Sequence, residues 1–112
     1  MKMKYLIVLS IFIGSLFAQD VAPVNNQLYV KECGSCHFAY QAGLLPSSSW
    51  NKIMSNLENH YNNDASISPE NLKTLTKYLN DNSAEKNMQY KRSNKIVSSI
   101  KKNQIPDSIS TT

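Results

Sequence analysis

The sequence predicts an all-α domain of a few short helices. Three observations carry that expectation. Apolar residues recur at helical offsets in two stretches, from Trp50 to Tyr61 and from Leu72 to Leu79. Beyond the first twenty residues, no stretch alternates apolar and polar residues as a half-buried strand would. Both cysteines of the 112-residue chain stand together in Cys33-Gly34-Ser35-Cys36-His37. That pentapeptide is the attachment signature of c-type haem, and one covalent haem gives short helices a large apolar body to pack around.

The spacing has a physical reason. One helical turn sets residues three apart on the same side, so two thiols can add to the two vinyl edges of one porphyrin, and the next residue projects at its face. Cys33 and Cys36 are therefore the candidate attachment residues, and His37 the candidate fifth iron ligand. No thiol is left over for a disulfide framework. A chain of this length buries only a modest core, a deficit that a cofactor can offset.

Lys2 and Lys4 open the chain, and an apolar run from Tyr5 to Phe17 follows, broken by Ser10, Gly14 and Ser15. The run falls short of the roughly 20 residues of a membrane span. It reads as a cleavable bacterial secretory signal over 1–18, with an uncleaved anchor as the other reading. Gln19, Asp20 and Pro23 follow at once, no second apolar stretch appears, and the mature chain is expected to start near Gln19 without a transmembrane segment. Export and the haem motif support each other, because bacteria attach haem covalently outside the inner membrane. A periplasmic location is expected.

The mature chain divides into a haem domain over 19–85 and a basic polar C-terminal tail over 86–112. Within the domain, a short helix is expected from Asn26 to Cys36, with Asn25 or Asn26 as its N-cap. Residues 38–49 read as a loop punctuated by Gly43 and Pro46. It is unusually apolar, and Phe38, Tyr40, Leu44 and Leu45 need a surface to cover them, either a haem edge or ordinary core. Ser47 or Ser48 is the expected cap of the next helix, whose apolar stripe is Trp50, Ile53, Met54, Leu57 and Tyr61. Asn62, Asn63 and Asp64 are expected to end it. Ser68-Pro69-Glu70 starts a further helix with a capping hydroxyl, a proline in the first turn and an acid at the positive end. Leu72, Leu75, Tyr78 and Leu79 form its buried face, and it should run to about Asn80. A last short helix is expected around Asn94 to Lys101. Pro106 and the Ser/Thr-rich ending read as a mobile tail.

A c-type haem usually takes a sixth ligand. His60 is the only other histidine, and it lies on or beside the apolar stripe of its helix. Met54 and Met88 are the other candidates, and an open site is the remaining one. Thioether sulfur raises the potential, whereas two imidazoles favour ferric iron and lower it. A closed six-coordinate site suits electron transfer; an open one suits gas binding or peroxide chemistry. His37 needs an acceptor for its second ring nitrogen, for which a backbone carbonyl near Leu45 or Pro46 is the expected partner. Trp50 reads as a core anchor, with a haem propionate as the alternative partner of its indole N–H.

Other chemistries fit less well. A redox dithiol at Cys33 and Cys36 would need a thioredoxin-like βαβ frame, which the pattern lacks. A zinc site from Cys33, Cys36, His37 and His60 would use adjacent ligands, which suits tetrahedral geometry poorly. A non-haem exported interaction module with a Cys33–Cys36 disulfide is a further alternative. The formal charge is +4, and Lys2 and Lys4 contribute two of these charges. The rest is uneven, with Lys86, Lys91, Arg92, Lys95, Lys101 and Lys102 set against Glu85 and Asp107. Such a run is usually a solvated face; it can also dock an acidic redox partner or an anionic membrane surface. Nucleic acid is not an expected partner of an exported protein.

Longer stretches carry a resemblance. Cys-Gly-Ser-Cys-His-Phe-Ala-Tyr at 33–40, Gly-Leu-Leu-Pro at 43–46, Ser-Trp at 49–50 and Leu-Glu-Asn-His-Tyr at 57–61 are similar to the dihaem cytochrome c family, DHC. Asp-Ala-Ser at 64–66 and the Leu-rich helix after it continue the match. The resemblance implies a small cytochrome c-like domain in a periplasmic electron carrier that is not an enzyme. It implies haem c with His37 and His60 as the axial pair. Its partners would be redox proteins, among them a membrane cytochrome b or another c-type cytochrome. The family carries a second Cys-x-x-Cys-His near its C-terminus. Here no cysteine or histidine follows His60, so the chain resembles the front half alone, with one haem.

Overall fold

The structure is a computed structural model and describes residues 20–101 and 104–109. The expected export signal over 1–18 and the last three residues of the expected mobile ending lie outside the described residues. Among those described there are four α-helices, α1 (Gln27–Cys33), α2 (Ser47–Met54), α3 (Pro69–Asp81) and α4 (Lys91–Ser99), and no strand. Single 3-10 turns lie at Ala42–Leu44, Leu57–Asn59 and Ala84–Lys86.

Local signals account for the helix starts. The Asn26 side chain accepts the Tyr29 N–H at 2.9 Å and caps α1. The helix ends at Cys33, earlier than expected, with Gly34 N–H closing the last turn onto Val30 O at 2.9 Å. Ser68 caps α3 through the Asn71 N–H at 3.2 Å, with Pro69 in the first turn. α2 departs from expectation at both ends. It starts at Ser47 after Pro46, and neither Ser47 nor Ser48 caps it by its side chain. It stops at Met54 because Ser55 Oγ donates to the Lys52 carbonyl at 2.9 Å and Asn56 leaves helical dihedrals. The chain then passes through a 3-10 turn to His60. α4 lies a few residues earlier than expected.

The core gathers Tyr29, Ala42, Leu45, Trp50, Met54, Leu75 and Leu79. Leu75 and Leu79 of α3 are fully buried, each worth about 1.5–3 kcal/mol of apolar burial. Asn51 and Asn80 exchange amide hydrogen bonds at 3.2 and 2.7 Å and register α2 on α3. The Tyr29 and Tyr78 rings meet at 5.4 Å and join α1 to α3. The Trp50 indole N–H donates to the Ala42 carbonyl at 2.7 Å inside the core, so this tryptophan is a core anchor.

The basic helix α4 is packed onto the domain. Ser93 is wholly buried and donates to the Gly43 carbonyl at 2.8 Å. The Arg92 N–H donates to the Asp20 carbonyl at 2.8 Å. Gly43 is required by this approach, since a Cβ there would sit 2.6 Å from Ser93 Oγ and 3.0 Å from Val21.

Candidate functional site

The haem-type pentapeptide straddles the end of α1. Cys33 is the last helical residue and half-buried; Gly34 to Cys36 form a turn, and Cys36 and His37 are exposed. Both thiols are free. Burial pushes the Cys33 thiol above its ordinary value, and Glu32 and Cys36 push the same way. An activated thiol needs the opposite shift, so Cys33 is not built as one. Among the described residues, no cluster of three or more His, Cys, Asp or Glu side chains is arranged to hold a metal ion by itself, against the zinc alternative.

The structure brings the two histidines together. The His37 and His60 rings have centroids 6.3 Å apart and planes 26° apart. Other rings continue on either side. His37 and Tyr40 lie at 5.8 Å, Tyr40 and Phe38 at 5.5 Å, and His60 and Tyr61 at 4.8 Å. Burial and the neighbouring His37 lower the pKa of His60 below its ordinary value, which favours the neutral imidazole.

Nδ1 of His37 lies 2.8 Å from the Phe38 carbonyl. A carbonyl only accepts, so the proton sits on Nδ1 and the Nε2 lone pair is free. The orienting acceptor is thus the next residue in the chain and not the expected carbonyl near Leu45 or Pro46. Leu45 O accepts from Ala84 N–H at 2.9 Å, and Pro46 O serves the first turn of α2.

Of the candidate sixth ligands, His60 is the one whose ring stands beside His37. Met54 is buried in the core cluster, and Met88 is exposed before α4. The loop residues expected to be covered divide. Leu45 is buried, whereas Phe38 is 66% and Tyr40 42% exposed, and Tyr61, expected on the core stripe, is 60% exposed.

These observations test the fit of a haem. A metal–imidazole bond of about 2.0 Å on both sides of one metal leaves the two ring centroids on the order of 6 Å apart. The spacing of His37 and His60 matches. The exposed rings of Phe38, Tyr40 and Tyr61 supply apolar surface around the pair, and the free thiols of Cys33 and Cys36 precede His37 in the chain. The residues fit the group.

Comparison with known proteins agrees. The chain matches the dihaem cytochrome c family over residues 29–112. It belongs to that family. The diheme cytochrome c from Rhodobacter sphaeroides is 32% identical with a TM-score of 0.70, over 79% of this chain and 67% of that one. A crystal structure of DHC purified from Rhodobacter sphaeroides is 31% identical with a TM-score of 0.57, over 72% of this chain and 79% of that one. The diheme cytochrome type c from Shewanella baltica is 45% identical with a TM-score of 0.53, over 54% of this chain and 49% of that one. No curated protein matched. Membership of this dihaem cytochrome c family implies covalently bound haem c and a role in electron transfer with redox partners. No helix among the described residues is long and apolar enough to cross a membrane.

Sequence reasoning missed the helix-capping contact of Glu85 and the Phe38 carbonyl as the partner of His37. Glu85 accepts the Ser47 N–H at 3.0 and 3.3 Å through its two oxygens and supplies the cap that α2 lacks locally. Its signal in the sequence is only an acid in a basic stretch.

Proposed function

We propose that this DHC-family chain is a periplasmic, single-electron carrier with one haem c, held by thioethers at Cys33 and Cys36 and ligated axially by His37 and His60. The observation that carries this reading is the 6.3 Å separation of the two imidazoles. A bound haem c supplies a ferric/ferrous couple. The chain's own residues do the rest. Phe38 O accepts a hydrogen bond from Nδ1–H of His37, which would leave the Nε2 lone pair for the iron. His60 would offer a ring nitrogen to the same iron. Two imidazole ligands from His37 and His60 would hold the potential of that couple low. The single Cys-x-x-Cys-His among these 112 residues supports the reading of one haem. The haem domain extends over 19–85, and the export signal over 1–18 takes the chain to the compartment where attachment occurs. The electron donors and acceptors are other redox proteins, a membrane cytochrome b or another c-type cytochrome among them.

The test is the spectrum of protein purified from the periplasm. One covalent haem per chain is expected, low-spin when oxidised and when reduced, without a methionine-type charge-transfer band. Carbon monoxide should bind the reduced form slowly. A high-spin ferrous spectrum that shifts rapidly with carbon monoxide would establish an open-site gas or peroxide protein instead. Absence of covalent haem would reject the reading in favour of a non-haem module.

A further inference from the structure

His60 is followed by two residues in the left-handed region, Tyr61 at φ 51° and Asn62 at φ 68°. Reciprocal backbone bonds between His60 and Asn63, at 2.8 and 3.0 Å, close them into a two-residue turn. Such a turn needs positive φ at both central positions. Asparagine tolerates that region; a tyrosine Cβ crowds the backbone there. Three contacts keep Tyr61 in place nonetheless. Its ring meets the His60 imidazole edge to face at 4.8 Å. Its carbonyl accepts from Asn63 Nδ2 at 3.1 Å. Its hydroxyl donates to the Asp107 carbonyl, in a C-terminal segment whose Ile109 packs against the hydrophobic core. Asp107, Tyr61 and His60 line one hollow with Lys52 and Ile53.

We propose that Tyr61 is a positioning residue for His60: its turn, moored through its hydroxyl to the C-terminal segment, holds the imidazole opposite His37. The inference rests on the reading of His60 as an axial ligand. Without the mooring the turn is free to relax toward ordinary dihedrals, and His60 leaves its place more often. The C-terminal segment therefore sets how tightly the sixth position is closed, although it contributes no ligand.

The test is the rate at which carbon monoxide binds the reduced, haem-loaded full chain, compared among wild type, His60→Ala, Tyr61→Phe and Tyr61→Leu. An outside ligand enters only when His60 has left. Wild type should be slow and His60→Ala fast. Tyr61→Phe keeps the ring but loses the hydroxyl, and should bind roughly five- to tenfold faster than wild type, the population shift from one lost hydrogen bond. Tyr61→Leu loses the ring contact too and should be faster still. Wild-type rates in both Tyr61 variants, with His60→Ala fast, would overturn the positioning role and leave the ligand reading standing. A His60→Ala protein as slow as wild type would overturn the ligand reading, and this inference with it.

Discussion

The Tyr29 hydroxyl donates to the Tyr40 carbonyl at 2.6 Å. The two residues flank the pentapeptide at 33–37, one within α1 and one beyond it. Tyr29 is buried and its ring lies against Tyr78 of α3. The segment that carries Cys36 and His37 is thus fastened to the core at its base while those two side chains face solvent.

Tyr29→Phe should remove about 1 kcal/mol of stability, seen as a lower urea midpoint at neutral pH. It should also change the alkaline limb. Burial, with electrostatic contributions from Cys33 and Tyr78, raises the Tyr29 pKa well above its ordinary 10.0. The unfolded chain then releases this proton at a pH where the folded chain keeps it. Stability from this group is complete below pH 10 and falls as pH climbs beyond that. Urea midpoints of the Tyr29→Phe protein should fall less steeply between neutral and strongly alkaline pH. An equally steep fall would assign the alkaline loss to other groups.

Glu85 acts at the acid end. Burial would raise its pKa, but hydrogen bonds from Ser47 and Ser83 and from backbone N–H groups outweigh burial and hold it below the ordinary 4.5. The unfolded chain takes up the proton first as pH falls. The contribution is therefore whole above pH 4.5 and is lost as pH drops through the folded value. Glu85→Gln should cost about 0.5–1 kcal/mol near neutrality, as for loss of a charged helix cap. Its disadvantage should shrink below pH 4, which circular dichroism melts across that range would show.

Gly43→Ala should cost about 1–3 kcal/mol through overpacking against Ser93. Ser93→Ala should cost about 1 kcal/mol through the lost hydrogen bond to Gly43 O. The double variant should lose less than the sum of the two, because removing the hydroxyl makes room for the added methyl. Thermal melts of the four proteins would show strict additivity if α4 were not seated there.

His60→Met should raise the midpoint potential on the order of 100 mV, a fraction of the roughly 0.8 V over which axial ligands set haem potentials. Redox titration reads the shift directly. An unchanged spectrum and potential would remove His60 from the iron.

Legibility in the sequence followed the range of the interactions. Ser68, Pro69 and Glu70 announce α3 because a helix start is made by residues next to one another. Asn26 does the same for α1. The apolar stripe from Trp50 was readable, but where its helix ends was not: Ser55 and Asn56 compete with the backbone ladder, and the buried side chains Trp50 and Met54 are satisfied without a longer helix. Long-range contacts left no local trace. Nothing near Ser47 points to Glu85, and nothing near Gly43 points to Ser93. Both cysteines and both histidines of the site were readable as residue types with a spacing. The left-handed turn after His60 was half visible, since Asn62 hints at it and Tyr61 argues against it.

The closeness of His37 and His60 also bears on the chain between them. One metal holding both rings would be a cross-link, closing a loop that contains the 3-10 turn at Ala42–Leu44 and all of α2. Such a bridge limits the unfolded chain as a disulfide does, by about 3 kcal/mol for a loop of about 15 residues and slowly more with length. With Cys33 and Cys36 given to a haem as proposed, the chain would in this way obtain a staple from imidazole and iron in place of sulfur.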